Sequence, residues 1–338
     1  MYHKVIRCML ILAVAAAGVL SAAAGAPAGA GTLPPPTRLA HARMHAAESA
    51  AIFQDVVINP ASTTAYLTVP SQNEVAVLDL ATGTFGPSIP VGSDPQGIDI
   101  TPDGRTLYVA DAGGQTISKV DIATGAVTTI ATPASFMSDT PDSIVVLNNG
   151  TALYSTTFAG SGFGGHIYQL DLGTDASTVV PTMGSGGLST EFTPLSRSAD
   201  YSTAGALLGD DSAGPFDVYT AATGNVVSGT LNAFISSSAL NGNGTTMLVD
   251  GKSVIAADTG TLLGTISDSC VGAVLDASGL TGFCLGVNSI VELDISRFLT
   301  GPEIPLPAGI TGTGELALSP NGRVLVGVTS GGAIIVDL

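Results

Sequence analysis

The chain has 338 residues and a formal net charge of −17, although only 11% of its residues are charged. This acidic balance argues against binding to nucleic acid, whose phosphates require a basic surface, and against binding to anionic membranes. The length suits one large repeat domain, and no stretch of the chain suggests a second domain.

The N-terminus has the features of a secretory signal. Residues 1–26 combine Lys4 and Arg7, an apolar core over 8–20, and small residues suited to cleavage. An uncleaved membrane anchor is the alternative, because the apolar run is barely long enough to span a bilayer. Residues 27–37 are rich in Ala, Gly and Pro and read as a linker. We therefore predict a secreted or cell-envelope protein with no transmembrane segment after cleavage.

The stretch 95–125 contains the clearest structural unit of the chain. A buried strand leads into the turn Thr101-Pro102-Asp103-Gly104, in which Pro presets φ and Gly accepts a positive φ. Three further short strands follow, at 107–110, 116–121 and 126–130. Four such strands make one antiparallel sheet, which cannot bury both of its faces alone and must stack on copies of itself.

Copies of this unit follow along the chain. A Thr-Gly pair is predicted to turn the chain after the third strand at Thr82-Gly83, Thr124-Gly125, Thr223-Gly224, Thr259-Gly260 and Thr300-Gly301. With a further copy near Asp171, the repeats define seven units, at about 55–92, 93–133, 138–184, 188–233, 234–267, 268–309 and 310–338. A period near 40 residues with four strands per unit is typical of a β-propeller.

The second unit also resembles a known repeat family. Its run from Thr101 to Asp111 (TPDGRTLYVAD), followed by Val120-Asp121-Ile122-Ala123-Thr124-Gly125, is similar to the YVTN β-propeller repeat, with Ala110-Asp111 where the namesake Thr-Asn would stand. The resemblance implies an all-β fold of seven four-stranded antiparallel blades. It does not imply one activity, because the family includes surface-layer, periplasmic and enzyme-like members.

The last unit ends early, and this predicts how the ring closes. Residues 334–338 match a third strand, so the seventh blade lacks its fourth. Residues 38–45 precede the first unit and are predicted to supply this missing outer strand, which would remove the exposed sheet edges. The propeller domain is then 38–338.

Two cysteines follow the leader, Cys270 and Cys284, on predicted neighbouring strands joined by the turn at 276–279. Hairpin pairing would bring them nearly opposite each other, so an exported protein is expected to form a cross-strand disulfide here. A register shift of one residue would place them on opposite faces and forbid it. Their spacing fits no zinc or haem motif.

The mouth of the central channel is the expected place for a ligand. It is predicted to be acidic, with candidate carboxylates at Asp55, Asp94, Asp139, Asp268 and Glu315. Converging carboxylates repel each other unless a cation bridges them, and hard oxygen ligands suit Ca²⁺ or Mg²⁺. The alternative is that the aspartates cap turns through hydrogen bonds to nearby backbone N–H groups.

His166 is the one histidine that follows the N-terminal segment, at the end of a Gly-rich loop predicted to reach the mouth. It is a candidate general base or ligand, and a solvated loop residue is the alternative. By contrast, Arg105, Arg323 and Arg197 are predicted on the opposite face, which disfavours a lactonase that acts on phosphosugars.

Three functions remain open from the sequence. The leading one is a monomeric, non-enzymatic binding or interaction module with an unknown extracellular ligand or protein partner. The second is a divalent-cation-dependent hydrolase, lactonase or lyase, in which the five carboxylates would hold the metal and His166 would act as acid or base. The third is a structural domain whose channel is plugged by side chains.

Overall fold

The computed structural model of the chain describes residues 38–133, 139–157, 165–184, 193–208 and 213–338. The predicted signal peptide (1–26) and linker (27–37) lie outside the described residues. Ser138, most of the Gly-rich loop before His166, and Asp210-Asp211 also lie outside them. All described residues belong to one unit, Pro36–Leu338.

The first three blades follow the chain from the innermost strand outwards. Blade 1 contains β2 (Val56–Ile58), β3 (Thr64–Val69), β4 (Glu74–Asp79) and an outer strand in two pieces, β5 (Thr84–Phe85) and β6 (Ile89–Pro90). Blade 2 contains β7 (Pro95–Ile100), β8 (Thr106–Asp111), β9 (Thr116–Asp121) and β10 (Ala126–Ala131). Blade 3 contains β11 (Thr140–Val146), β12 (Thr151–Thr157), β13 (Ile167–Asp171) and β14 (Ser177–Val179).

The other four blades repeat this order. Blade 4 contains β15 (Leu195–Arg197), β16 (Thr203–Leu207), β17 (Pro215–Thr220) and β18 (Val226–Thr230). Blade 5 contains β19 (Ser238–Leu240), β20 (Thr246–Val249), β21 (Ser253–Ala256) and β22 (Thr261–Thr265). Blade 6 contains β23 (Gly272–Leu275), β24 (Thr281–Leu285), β25 (Ser289–Asp294) and β26 (Leu299–Pro305). Blade 7 contains β27 (Gly312–Leu318), β28 (Val324–Thr329), β29 (Gly332–Asp337) and, on its outer edge, β1 (Arg43–Glu48).

Helix is scarce in this all-β architecture. Short 3₁₀ turns occur at Leu39–His41, Pro70–Gln72 and Ala112–Gly114. Among the described residues, no helix has the length and apolar character needed to cross a membrane.

The core lies between the blades, as the apolar pattern of the sequence predicts. Each pair of neighbouring blades encloses one buried apolar cluster, and the described residues form seven such clusters around the ring. The cluster between blades 1 and 2, for example, contains Val57, Tyr66, Ile98 and Leu107. Outer strands such as β10 and β22 are mostly exposed. The predicted seven-bladed propeller is confirmed, and each blade is stabilised by packing on its neighbours.

The N-terminal strand closes the ring, as predicted, but it lies further along the chain than 38–45. Its register runs antiparallel from Arg43 opposite Asp337 to Glu48 opposite Gly332. The preceding residues have another role. The Leu39 side chain is buried between blades 6 and 7, and its N–H donates to Glu292 Oε2 at 2.8 Å. This anchor holds residues 38–42 out of the sheet, so the strand begins at Arg43.

The predicted Thr-Gly turns are present in blades 1 and 2, where an aspartate closes each of them. Asp79 Oδ1 accepts hydrogen bonds from the N–H (2.8 Å) and Oγ1 (2.9 Å) of Thr82, and Asp121 bonds to Thr124 in the same way. Because these bonds favour the ionised carboxylate, they lower the pKa of Asp79 and of Asp121.

The prediction for Thr300-Gly301 is wrong, because both residues lie inside strand β26. In blade 6 the chain turns before them, where Asp294 Oδ1 accepts hydrogen bonds from Ser296 Oγ at 2.6 Å and from Arg297 N at 3.1 Å. The left-handed position is taken by Phe298, with a φ of 57°, instead of by a glycine.

The predicted disulfide between Cys270 and Cys284 is confirmed, with a Cα–Cα distance of 5.3 Å. The residue directly opposite Cys284 is Ala273, and Cys270 lies before the first residue of β23. The bridge therefore links the segment leading into the innermost strand to the second strand. Both cysteines are buried in the cluster between blades 5 and 6.

Candidate functional site

The innermost strands of neighbouring blades pack against each other around the channel axis. Glycine permits the close approach at two places. A Cβ atom on Gly97 would lie 2.8 Å from the Cα of Ser143, and one on Gly272 would lie 2.6 Å from the carbonyl oxygen of Gly314. These distances are shorter than any normal contact of a side chain. The absence of a side chain at these two glycines therefore sets how closely the blades meet.

Polar side chains in this ring bond to the backbone of the next blade. Asp55 Oδ1 accepts from the N–H of Val56 at 2.7 Å, and its Oδ2 accepts from the N–H of Ile98 in blade 2 at 3.0 Å. Ser143 Oγ likewise accepts from the N–H of Leu195 in blade 4 at 3.1 Å. The Asp55 carboxylate thus stabilises the junction between blades 1 and 2.

A buried ion pair that the sequence did not reveal joins blades 2 and 4. Arg197 Nε lies 2.6 Å from Asp99 Oδ2, and Arg197 Nη2 lies 2.8 Å from Asp99 Oδ1. The same carboxylate accepts from the N–H of Ile100 and of Val146, the latter in blade 3. Burial alone would lower the pKa of Arg197, but the charge and hydrogen bonds of Asp99, together with Tyr201, outweigh burial and raise this pKa.

Asp99 and Arg197 stand near the first turns of their blades, at the end of the innermost strands away from the predicted mouth. This agrees with the predicted position of Arg197. The guanidinium also stacks over the ring of Tyr201, 3.7 Å from its centroid. In the sequence, Asp99 stands out as an acidic residue inside the apolar run 97–100. Its partner cannot be recognised there, because Arg197 lies 98 residues further along the chain.

At the other end of the innermost strands, blade 3 brings two predicted site residues together. Nδ1 of His166 lies 3.0 Å from Oδ2 of Asp139. The Asp139 side chain is only 3% exposed, whereas that of His166 is 48% exposed. The N–H of His166 donates to Thr156 Oγ1 at 2.9 Å, which fixes the start of the third strand against the second.

This geometry determines what the imidazole can do. A carboxylate only accepts hydrogen bonds, so Nδ1 of the imidazole carries a proton, and in the neutral form of the ring Nε2 then holds the lone pair. The ring of Tyr168 lies 5.9 Å from the imidazole centroid and borders one side of it. The half-exposed ring is therefore held in one orientation, with Nε2 available as a hydrogen-bond acceptor or a base.

The other predicted carboxylates have local partners. Asp94 is exposed, with a φ of 54°, and accepts from Gln96 Nε2 at 2.7 Å. Asp268 accepts from the N–H of Ser269 at 2.7 Å, and Glu315 lies half-buried in β27. In the part of the chain that is described, no three His, Cys, Asp or Glu side chains are grouped in a way that could hold a metal ion. A Ca²⁺ or Mg²⁺ site at the mouth stays a prediction.

Asp111, at the end of β8, is a buried acid near the same face. Its Oδ2 accepts from Ser118 Oγ at 2.7 Å and from Thr116 Oγ1 at 3.3 Å, while Oδ1 has no hydrogen-bond partner among the described residues. Burial disfavours the charged form and raises the pKa of Asp111 to about 6.

We expect Asp111→Asn to stabilise the protein at neutral pH. The folded state holds this proton up to a pH near 6, whereas the unfolded state releases it near 3.8. Stability from this group is therefore present below pH 3.8 and is lost as the pH rises through 6. The free energy of unfolding of the variant, relative to wild type, should increase between pH 4 and pH 7 by up to about 3 kcal/mol.

Denaturant melts across this pH range measure the effect. Asp103→Asn is the control, because hydrogen bonds from the Thr101 side chain and the Arg105 N–H lower the pKa of Asp103. The ionised Asp103 stabilises the folded state above pH 3.8, and this contribution is lost as the pH falls through the lowered pKa. Relative to wild type, Asp103→Asn should therefore show no gain of stability as the pH rises from 4 to 7. A difference between Asp111→Asn and wild type that is constant with pH would contradict the prediction.

Comparisons with known proteins support the fold. No protein-family model and no curated protein matches the chain. Among solved structures, a chain titled hydrazine synthase from Kuenenia stuttgartiensis superposes with a TM-score of 0.67 at 17% sequence identity. The match covers 86% of this chain and 96% of that one. At this identity the likeness concerns the propeller fold alone.

Proposed function

We propose that the protein is an exported β-propeller that serves as a binding module and contacts its ligand at the channel mouth beside blade 3. The Asp139–His166 pair is the observation that supports this proposal most directly. A buried carboxylate 3.0 Å away orients a half-exposed imidazole. Its Nε2 can accept a hydrogen bond from a hydroxyl or amine of a ligand. Export rests on the features of residues 1–26.

We also propose that the blades are repeats of the YVTN type. The residues that carry this resemblance in blade 2 form the turn after β7, strand β8, the end of β9 and the turn that follows it. A family defined by a repeat says nothing of the ligand, so the binding proposal depends on His166 and its surroundings.

A hydrolase, lactonase or lyase is the second candidate, and the same pair favours it. An imidazole held by a carboxylate is the arrangement that a general base requires, and general-base catalysis typically contributes about 10²- to 10⁴-fold in rate. In this proposal Asp139 orients the ring and Nε2 takes a proton from water or substrate. A divalent cation, if it takes part, would be held by Asp55, Asp94, Asp139, Asp268 or Glu315.

One set of measurements tests both candidates. We would titrate the protein and its His166→Gln variant with maltotriose, glucosamine, Ca²⁺ and Mg²⁺ by calorimetry, and assay hydrolysis of p-nitrophenyl acetate and γ-butyrolactone. The binding proposal predicts that maltotriose or glucosamine binds wild type and binds His166→Gln about tenfold more weakly, because the hydrogen bond to Nε2 is lost. Exposed His41 provides the control, His41→Gln, which should leave binding unchanged.

The outcomes separate the two functions. Binding that depends on His166 without turnover supports the binding module. Hydrolysis that falls in both His166→Gln and Asp139→Asn supports the enzyme, and micromolar Ca²⁺ or Mg²⁺ binding that weakens in Asp139→Asn supports its cation. If His166→Gln changes neither binding nor turnover, both proposals for this site are wrong.

A further inference from the structure

A groove of about 410 Å³ opens where blade 7 meets blade 1, at the seam closed by the N-terminal strand. Its apolar lining includes Phe53, Val69, Ala76 and Phe85, and two carboxylates, Glu48 and Glu74, also line it. Glu48 is the last residue of β1, and Glu74 is the first of β4. The groove thus lies between the strand that closes the ring and the outer part of blade 1.

The groove exists because the outer strand of blade 1 is interrupted. β5 pairs with Leu78 and Asp79, and β6 pairs with Glu74 and Val75. Between them, Gly86 still donates its N–H to the carbonyl oxygen of Val77 at 2.8 Å, and the regular ladder is interrupted at residues 87 and 88. The middle of β4 is therefore not covered by a continuous strand, and Ala76 and Phe85 line an opening. The comparable outer strand of blade 2, β10, runs unbroken for 6 residues in a continuous register with β9.

The groove has an aromatic wall and an acidic rim. The rings of Phe53 and Phe85 lie 5.4 Å apart at an interplanar angle of 33°. Glu74 Oε2 accepts from Ser88 Oγ at 2.6 Å, which holds the carboxylate at the rim. In the described part of the chain, no lysine or arginine forms an ion pair with Glu48 or Glu74. The carboxylates of Glu48 and Glu74 therefore make the rim negative, like the protein as a whole, whose formal net charge is −17.

We propose that this groove binds a lysine or arginine side chain of a partner protein. The aliphatic stem of such a side chain packs against apolar surface while its charged head stays at the polar edge. Here the stem would lie along the half-buried ring of Phe85, and the cation would meet the Glu74 carboxylate at the rim. The acidic surface of the whole protein attracts a basic partner and raises its rate of association.

Short capped peptides test the proposal on the full-length protein. We would titrate Ac-Gly-Lys-Gly-NH₂ and Ac-Gly-Arg-Gly-NH₂ by NMR, with Ac-Gly-norleucine-Gly-NH₂ as the uncharged peptide. The basic peptides should bind saturably, and the norleucine peptide should bind at least fivefold more weakly. Glu74→Gln should weaken the basic peptides by about fivefold, because a charge-assisted hydrogen bond is lost.

Blade 6 provides a matched control, since Glu303 Oε2 accepts from Ser289 Oγ at 3.3 Å on its outer strands. Glu303→Gln removes a carboxylate with the same kind of partner away from the groove, and it should leave peptide binding unchanged. Phe85→Leu keeps the groove apolar and should weaken the basic peptides while changing the norleucine peptide little. His166→Gln should leave binding of the basic peptides unchanged. The groove proposal can therefore fail or hold independently of the ligand site proposed at His166.

Three results would overturn the proposal. The first is no saturable binding of either basic peptide. The second is equal loss in Glu74→Gln and Glu303→Gln, which would indicate a general effect of net charge. The third is binding of free agmatine or cadaverine as tightly as the peptides, which would assign the groove to small amines instead of a partner protein.

Discussion

Deleting residues 38–48 is expected to destabilise the entire propeller and to lower its melting temperature by about 10 °C or more. The deletion removes β1, and with it all six residue pairs that cover the edge of β29. It also removes buried Leu39 and Ala47 from the clusters on both sides of blade 7. The Glu292 carboxylate, which is only 5% exposed, loses the N–H of Leu39 as a partner.

Thermal melts of the deletion variant and the full-length protein measure this effect. Ala47→Asp is a milder test, because it places a charge in the buried cluster between blades 7 and 1 and leaves the chain length unchanged. Deleting residues 27–37, the predicted linker, is the control and should change the melting temperature little. An unchanged melting temperature after removal of 38–48 would show that the ring does not depend on this strand.

Much of the fold could be predicted because its rules are local and repeated. The Asp–Thr-Gly turns, the apolar inner strands and the period of the units all appear within single blades, as Asp79 and Thr82 illustrate. Ring closure could also be predicted, since a seventh blade that stops after β29 leaves a sheet edge that another segment must cover.

The errors arose where a tertiary contact decides the local structure. The predicted closing strand began too early because burial of Leu39 and its bond to Glu292 keep residues 38–42 out of the sheet. The repeat predicts a turn at Thr300-Gly301, but Asp294 turns the chain several residues earlier and Phe298 takes the left-handed position.

In the candidate site too, contacts within one blade could be predicted from the repeat, whereas contacts between blades could not. The repeat pattern places Asp139 and His166 in loops of one blade on one face, and the structure joins them at 3.0 Å. The pattern gave no means to foresee that the Asp55 carboxylate would bond to the N–H of Ile98 in the next blade. Nor could it pair Asp99 with Arg197, since these residues meet only when three blades are assembled.

Breaking the ion pair between Asp99 and Arg197 should also destabilise the protein strongly. Arg197→Met is expected to lower the free energy of unfolding by about 3–5 kcal/mol, because removing one partner leaves a buried charge uncompensated. Asp99 is only 4% exposed, so water cannot take the place of the guanidinium. The carboxylate would keep the N–H groups of Ile100 and Val146 as donors, and these lack the charge that it requires.

Denaturant melts of Arg197→Met, Asp99→Asn and the double variant Asp99→Leu/Arg197→Met measure the coupling. The double variant should be more stable than Arg197→Met, because it leaves no buried charge behind. Exposed Arg105, whose Nε lies 3.9 Å from Asp103 Oδ2, gives the control. Arg105→Met should change stability by less than about 1 kcal/mol. Equal losses in Arg105→Met and Arg197→Met would rule out a special role for the buried pair.

Amide hydrogen exchange in Arg197→Met provides a further check on this mechanism. Asp99 also holds the N–H of Val146 at the end of β11, the strand that Asp139 precedes. Faster amide exchange along β11 in Arg197→Met would then connect the Asp99–Arg197 pair at one end of the innermost strands to the His166 site at the other end.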